Sequence, residues 1–587
     1  MSVGGTFLSP PRCIAGSSNR FGQSNMPDSL PWNSARPAMM VPSSRQLGQG
    51  VMGEHRFRPV DRTASGACGH RSLRRLWPSR SRIAARSKMA QPSHRFLLSP
   101  GCRKPCHEQG GLGHDESVIF EFPRTLVALA AAVALALAGC SSSLSAPVAS
   151  SSPSRVALSA ASARAATAAN PASAWPTYHA SVSRSGDAGP LVPALSGALR
   201  RGWSAHLDGA VYAEPIIVGS TGIVATEHDT AYALSLKTGK TVWARHFGTP
   251  VPTSALPCGN INPLGITGTP AFDQASGLIF VVTETTGAVH TLWALAAESG
   301  AVRWHRNLDV TRRDRRAEQE RAAVLVVGKR VVVAFGGLYG DCGNYIGYVT
   351  ATATSGKGST AVYTVPSARE AGSWAPAGPV EGPGGRIYLS LGNGAATTGS
   401  WDGSDSVIAL APTTLRRVAA FAPTSWPADN ANDLDLGSSS PVPVMGKILI
   451  TGKRGTAYLL APSLGGAHRI GGQLASRRVC PAYGGAAFRG ADVYLPCTTG
   501  LWKLTIGAHS ISNSWQAAGI PGSPVLAGNV AYVLRPSTGT FYELALNTGR
   551  IVRSLSLGGR CSRFATPTVV GGHAVLVPTN TGVVEIL

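Results

Sequence analysis

The sequence predicts an all-β protein, an eight-bladed β-propeller of four-stranded antiparallel blades, with seven blades as the alternative. Gly contributes 69 and Pro 41 of the 587 residues, while charged residues make up only 14 %. This composition is too rich in turn formers and too poor in charge for a coiled coil or a helical solenoid. From Trp175 onward one strand-and-turn unit recurs, which is the second and more specific observation.

The repeated unit is an apolar strand, a short turn, an aromatic-Ala-Leu strand, a Thr-Gly turn and a strand that carries Trp. The clearest copies cover residues 231–243, 292–304 and 541–552. Weaker copies centre on Tyr348, Ile408, Tyr458 and Trp502, with a truncated one at Val584. Equivalent positions lie 40 to 61 residues apart, which suits a propeller blade with loop insertions.

The ends of the repeat array predict how the ring closes. The last copy stops at Leu587 without its outer strands, and residues 201–207 precede the first full copy. We expect residues 201–207 to complete the last blade, because closure removes exposed sheet edges. The Trp of each unit is expected to cover the flank of the neighbouring blade.

The chain before the repeats predicts three segments. Residues 1–117 lack a sustained hydrophobic period and are expected to be disordered. Residues 118–139 combine Arg124, an apolar run of about 14 residues and small residues, as in a secretory signal peptide. Because a signal peptide does not work from inside a chain, we expect translation to begin near Val118 and residues 1–117 to be an untranslated extension.

The signal peptide ends in Leu-Ala-Gly-Cys140, which resembles the bacterial lipobox. Cys140 would then be the lipidated first residue, and residues 140–173 would form a Ser/Ala-rich tether to a propeller at 174–587. The apolar run is shorter than the roughly 20 residues of a membrane span. The predicted location is the extracytoplasmic face of the cell membrane, with the lipid as the only membrane contact.

The positive charge of the chain does not predict a nucleic-acid partner. Residues 1–139 carry a net charge of +11, and the other 448 residues carry +12. The second value is spread thinly, without a Lys/Arg run interleaved with aromatic residues. We expect a monomer. The sequence has no His-Glu-x-x-His motif, and we predict no metal site.

Five cysteines follow the lipobox, and secretion favours disulfides between them. The preferred pairs are Cys258 with Cys342, in long loops at one end of the propeller, and Cys480 with Cys497, which flank a hairpin-like segment. Cys561 would remain free, or it could replace a partner in one of these pairs.

Several motifs resemble those of the PQQ-type, quinoprotein alcohol dehydrogenase-like β-propeller repeat family. They lie at residues 175–186, 232–243, 264–270, 392–394, 433–437 and 452–458. The whole is closely similar to the actinobacterial lipid-anchored PQQ-binding-like repeat proteins. The resemblance covers residues 175–587 and implies either a scaffold or a dehydrogenase that holds PQQ and Ca²⁺ at the propeller centre.

For a dehydrogenase, the resemblance implies an Asn ligand and an Asp base. Asn393 in Gly-Asn-Gly is the candidate for cofactor binding, and Asp405 is the candidate catalytic base, although the family's Gly-Asp-Asn is absent. The loop that should carry a Glu ligand, residues 339–345, has no Glu, and no adjacent Cys-Cys pair occurs.

We therefore predict a non-catalytic binding or scaffold module whose rim or funnel takes a protein, a peptide or a cell-wall glycan. The alternative is a divergent PQQ- and Ca-dependent alcohol dehydrogenase that uses Asn393 and Asp405.

Overall fold

The computed structural model describes residues 174–310, 314–464 and 469–587. They form eight sheets, each built on four antiparallel strands, arranged as the blades of a propeller. Eight is the predicted number, and the seven-bladed alternative is wrong. Helical structure in the described residues is limited to α1 (Trp426–Ala431) and short 3₁₀ turns, at Tyr178–Ala180, Thr253–Ala255, Pro383–Gly385 and Leu436–Ser438.

The first strand of the chain belongs to the last blade, and the next seventeen build blades 1 to 4. The strands are β1 (Arg201–His206); β2 (Ile216–Val218), β3 (Thr221–Thr226), β4 (Thr230–Ser235) and β5 (Thr241–His246) in blade 1; β6 (Ala271–Asp273), β7 (Leu278–Thr285), β8 (Val289–Ala296) and β9 (Val302–Asn307) in blade 2; β10 (Glu318–Gln319), β11 (Leu325–Val327), β12 (Arg330–Gly337), β13 (Tyr348–Ala353) and β14 (Ala361–Thr364) in blade 3; and β15 (Val380–Gly382), β16 (Arg386–Leu391), β17 (Ser406–Leu410) and β18 (Arg417–Ala422) in blade 4.

The remaining strands build blades 5 to 8, apart from one that extends blade 4. The strands are β19 (Val442–Val444), β20 (Lys447–Thr451), β21 (Thr456–Leu460) and β23 (Ala475–Arg478) in blade 5; β22 (Arg469–Ile470), parallel to β18 in blade 4; β24 (Ala487–Arg489), β25 (Asp492–Cys497), β26 (Gly500–Ile506) and β27 (Ile511–Ala518) in blade 6; β28 (Val525–Ala527), β29 (Val530–Arg535), β30 (Thr540–Ala545) and β31 (Ile551–Ser556) in blade 7; and β32 (Thr568–Val570), β33 (Ala574–Thr579) and β34 (Gly582–Ile586) in blade 8.

The ring closes as the sequence predicts. Strand β1 pairs antiparallel with β34, with Ser204 opposite Val584, so the start of the propeller supplies the outer strand of blade 8. Each centre of the predicted repeats lies on the third strand of a blade, counted in blade 3 from β11 because β10 is an additional two-residue strand. The unequal intervals therefore come from loops, and the strand order within each blade is constant.

The hydrophobic core lies between neighbouring blades, because successive residues of a strand face opposite sides of a sheet. On β17, Ile408 packs in a cluster with residues of blade 3, whereas Val407 packs in a cluster with residues of blade 5. All five residues of β17 are buried. Each blade is thus covered on both faces by its neighbours.

Trp residues on outer strands cover the Gly turn of the next blade at four junctions. Trp515 of blade 6 donates its Nε1–H to the Leu546 carbonyl of blade 7 at 3.0 Å, and its ring lies over Gly549. The same contact joins Trp203 to Gly239, Trp243 to Gly300 and Trp304 to Gly356. The expectation that Trp covers the neighbouring flank is confirmed at these junctions.

Both preferred disulfides form, and Cys561 is a free, buried thiol. The Cys258–Cys342 bridge ties the loop between blades 1 and 2 to a hairpin of blade 3, and Cys480–Cys497 bridges 17 residues around the start of blade 6. The exchanged pairing that would use Cys561 does not occur.

The predicted extension (1–117), signal peptide (118–139) and tether with Cys140 lie outside the described residues. Within the described part of the chain, no helix is both long enough and apolar enough to cross a membrane.

Candidate functional site

The meander within each blade gives the ring two different faces. One face carries the loops between blades and the hairpins that join the second to the third strand of each blade, and we call it the upper face. The lower face carries the remaining hairpins. Both disulfides belong to the upper face, because their cysteines lie in or beside upper loops.

Residues 175–188, the axial segment, close the channel along the propeller axis. The segment exchanges backbone hydrogen bonds with the innermost strands of five blades, with partners Ile217, Phe272, Glu381, Phe488 and Leu526 at 2.7–3.3 Å. It leaves the channel at the lower face, where the Gly528 N–H donates to the Gly189 carbonyl. The channel is therefore blocked from below.

Buried polar side chains fix the axial segment. Glu214 accepts hydrogen bonds from Trp175 Nε1 at 2.7 Å and from the His179 N–H at 2.9 Å. Arg184 donates to Thr177 Oγ1 and reaches blade 3. Burial raises the pKa of Glu214 to about 8 and lowers the pKa of His179 to about 3. Residues 175–186 are one of the motifs that resemble the PQQ-type repeat family, but the sequence did not predict that they block the channel.

A funnel opens above this plug on the upper face, with a cavity of about 410 Å³. This is within the usual range for small-molecule sites. Loops of blades on both sides of the ring line it, including Tyr212, Tyr339, Tyr483 and Arg563. Tyr178 at the tip of the axial segment shares a small adjoining cavity with Arg321 and Phe564, which also line the funnel. The plug thus forms part of the floor.

The predicted base Asp405 and the predicted cofactor ligand Asn393 are brought together on the upper face, in the hairpin that joins β16 to β17. The Asp405 N–H donates to the Gly392 carbonyl at 2.7 Å, directly before Asn393. Asp405 has no exposed surface, and its Oδ1 accepts the Leu436 N–H at 2.6 Å. Burial raises the pKa of Asp405 well above its usual range, although the Leu436 N–H opposes this shift.

A cationic centre that the sequence analysis did not assign lies next to these residues. Lys453 Nζ is 2.5 Å from Asp433 Oδ1 and 2.6 Å from Asp435 Oδ2, and it sits 5.7 Å from the centre of the Trp374 ring. Burial alone would lower the pKa of Lys453, but the two carboxylates outweigh it and raise the pKa. The Asn393 N–H donates to Asp435 Oδ1, which connects the predicted candidate to this centre.

The two candidate residues do not present the ligand set that Ca²⁺ requires, which is several converging oxygen atoms. Asp405 is enclosed and accepts a backbone hydrogen bond, Asn393 is 8 % exposed, and Lys453 already pairs with Asp435 beside them. Among the described residues, no group of three or more His, Cys, Asp or Glu side chains is placed to hold a metal ion. These residues therefore do not fit a calcium-bound cofactor, and we derive no catalytic step through one.

The fold is that of an eight-bladed β-propeller, and comparisons with known proteins show what it resembles. Residues 200–357 match the family described as outer membrane protein assembly factor BamB. No curated protein matches the sequence.

Solved structures of similar fold include three dehydrogenases. Quinohemoprotein alcohol dehydrogenase from Comamonas testosteroni has a TM-score of 0.53 at 16 % identity, over 71 % of this chain and 81 % of the enzyme. Quinohemoprotein alcohol dehydrogenase ADHIIG from Pseudomonas putida HK5 has a TM-score of 0.55 at 15 % identity, over 71 % and 80 %. A europium-containing methanol dehydrogenase has a TM-score of 0.53 at 16 % identity, over 69 % and 89 %.

At these identities the solved structures establish the fold alone. Together with the family match, they confirm the resemblance to the PQQ-type β-propeller repeat family. The closer likeness to actinobacterial lipid-anchored proteins stays a prediction.

Proposed function

We propose that this protein is a lipid-anchored β-propeller on the extracytoplasmic face of the cell membrane, acting as a non-catalytic binding or scaffold module. The proposal rests on one observation, the burial and hydrogen bonding of Asp405. A general base must reach the proton that it removes. Asp405 is enclosed and holds the Leu436 backbone instead.

Two further features support a binding module. The family matched by residues 200–357 is described as an outer membrane assembly factor, which suggests an assembly role for this chain as well. The axial segment blocks the channel from below, so a ligand would enter the funnel only from the upper face. Loops on a rigid ring are suited to recognising a partner. Partners of the predicted kinds are a protein, a peptide or a cell-wall glycan.

A second candidate function, a PQQ-dependent dehydrogenase, is favoured by the fold that this chain shares with quinohemoprotein enzymes. Titration of the full-length protein with PQQ, with and without Ca²⁺, separates the two functions by calorimetry. We expect no saturable binding. Saturable binding that requires Ca²⁺ and is lost in Asn393→Ala would support the dehydrogenase and contradict the module.

The anchor needs its own test, because Cys140 lies outside the described residues. We expect the wild-type chain to fractionate with membranes and to incorporate a labelled fatty acid. Cys140→Ser should abolish labelling and release the protein from the membrane fraction. An unlabelled wild-type chain would contradict the lipid anchor while leaving the binding role open.

A further inference from the structure

The funnel is strongly cationic, which neither the fold nor the proposed function explains. Arg321, Arg560 and Arg563 line the cavity, and no Asp or Glu is among its lining residues. None of the three guanidinium groups forms an ion pair with a carboxylate in the described part of the chain. Arg321 is half-buried and Arg560 and Arg563 are exposed, and three positive charges on one concave surface attract an anion more strongly than each would alone.

Two of these arginines are held in place by aromatic rings. The Arg563 guanidinium lies 4.8 Å from the centre of the Tyr483 ring, and that of Arg321 lies 5.7 Å from the centre of Phe564. Arg321 also donates to Gln319 Oε1 at 3.0 Å. Stacked guanidinium groups lose less conformational freedom when they bind a carboxylate or a phosphate.

The hydrogen-bonding capacity of Arg321 is not used up inside the protein. Its Nε is buried without a hydrogen-bond partner in the described residues. Burial lowers the pKa of Arg321, with Glu227 acting in the opposite direction, and burial also lowers that of Arg563. The Arg321 charge is therefore partly desolvated, and an anion in the funnel would offset that cost.

The rest of the lining suits a ligand that carries hydroxyl groups and apolar ring faces. Tyr212, Tyr339 and Tyr483 contribute aromatic surface, and Tyr339 is 45 % exposed. Side-chain hydroxyl and amide groups complete the lining, from Asn260, Thr498, Ser523, Ser537, Ser562 and Asn580. Such mixed donors and acceptors fix the orientation of polar ligands in predominantly aromatic sites.

We propose that the funnel binds an acidic oligosaccharide, whose carboxylate or phosphodiester groups pair with Arg321, Arg560 and Arg563 while its sugar rings lie against the tyrosines. This inference rests on the proposed function, because it names the ligand class of the binding module. Uronic-acid and phosphodiester glycans share this chemistry, and separate probes distinguish them.

Calorimetric titration of the full-length protein tests the inference. The probes are trigalacturonate, its methyl ester, a phosphodiester-linked trimer of N-acetylglucosamine, citrate and PQQ. We expect one of the two acidic polymers to bind at a single site, with an affinity that falls as salt is added. The methyl ester, which keeps the sugar and loses the charge, should bind at least about tenfold more weakly, since charged hydrogen bonds are lost.

Variants locate the site. Arg560→Ala should weaken binding of the acidic probe about tenfold or more, because one charged hydrogen bond is lost. Arg563→Lys should retain part of the affinity, since it keeps the charge without the planar fork. The matched control is Arg477→Ala with Arg478→Ala on the exposed β23, which should leave affinity unchanged.

Three results would overturn the inference. They are measurable binding of trigalacturonate with equal affinity for its methyl ester, equal affinity for citrate and the acidic sugars, and no binding by any probe. Ca²⁺-dependent binding of PQQ alone would contradict the proposed function as well. A silent titration with every probe overturns only the ligand class, so the two failures are distinguishable.

Discussion

At the residue scale, the contact of a Trp ring with a turn glycine explains much of the repeat pattern. Gly549 has a φ of +69°, and a Cβ added there would lie 2.4 Å from Trp515 Cε3. The turn therefore needs glycine for two reasons, its left-handed backbone and the ring above it. The Trp and the Gly recur together because each is useful only when the neighbouring blade supplies the other.

The first prediction separates these two reasons. Gly446 has a φ of +67° with nothing within 4 Å of an added Cβ, so Gly446→Ala is a control for backbone strain alone. It should cost about 1–2 kcal/mol. Gly549→Ala should cost roughly a further 1–3 kcal/mol, because Trp515 must move. Urea unfolding measures both variants, and equal losses would show that the ring contact contributes little.

Asp405 gives a prediction that separates a structural role from a catalytic one. Asp405→Asn keeps an oxygen for the Leu436 N–H and should change the free energy of unfolding by less than about 1 kcal/mol. Asp405→Ala leaves that buried donor unpaired and should cost about 1–3 kcal/mol. Thermal and chemical unfolding of the pair check this. Similar, negligible losses in both would mean that the hydrogen bond does not support the fold.

At the element scale, loops of blades 1 to 3 bury several acidic groups around His290. His290 Nδ1 is 2.9 Å from Asp309 Oδ1, and its Nε2 is 3.3 Å from Glu284 Oε2. Asp229 is fully buried beside them. Burial raises the pKa of Glu227 to about 7 and that of Asp229 to about 9. Burial would lower the pKa of His290, but Glu284 and Asp309 raise it to about 10.

These shifts predict that the protein loses stability as pH rises. Unfolded carboxyl groups ionise near pH 4. Above pH 4 the unfolded protein releases these protons while the folded protein keeps them, so the free energy of unfolding falls as the pH rises. For each group the fall ends where the folded protein also ionises, near pH 7 for Glu227 and pH 9 for Asp229. The raised pKa of His290 acts in the same direction between about pH 6.5 and 10.

Urea unfolding at pH 6, 7, 8 and 9 measures this dependence. The free energy of unfolding should fall across the series. Asp229→Asn should remove about 1.4 kcal/mol per pH unit from the slope below pH 9, since one bound proton no longer differs between the two states. The partly exposed Asp314→Asn should keep the wild-type slope. A flat wild-type profile would contradict the prediction.

Elements that recur could be predicted from the sequence, and contacts made once could not. The third strands around Tyr232 and Trp293, the closing strand β1 and both disulfides follow from spacing and hydrophobic pattern. The placement of Lys453 between Asp433 and Asp435 depends on the contact between the loop before β19 and the β20–β21 hairpin of the same blade. The funnel arginines come from two loops far apart in the sequence, Arg321 before β11 and Arg560 with Arg563 between β31 and β32, so no local motif predicts the cluster.

At the scale of the whole molecule, the pairing of β1 with β34 joins the two ends of the propeller. Ala205 lies opposite Val583. A Cβ atom added at Gly582 would lie 2.0 Å from the Ala205 carbonyl oxygen, so the two strands are in close contact. If β1 separates, β34 becomes an exposed edge and blade 8 loses its outer cover. An unpaired edge of this kind is a template for pairing with another chain.

A substitution at Ala205 tests whether closure stabilises the entire ring or only its last blade. Ala205→Pro removes a backbone N–H and disfavours a paired strand, whereas Ala205→Ser at the same site keeps both. We expect Ala205→Pro to lower the free energy of unfolding by more than the roughly 1 kcal/mol of one hydrogen bond, because neighbouring blades lose packing as well. It should also form oligomers through β34, detected by light scattering, while Ala205→Ser remains monomeric. A loss of about one hydrogen bond without association would show that seven blades hold together independently of the closing strand.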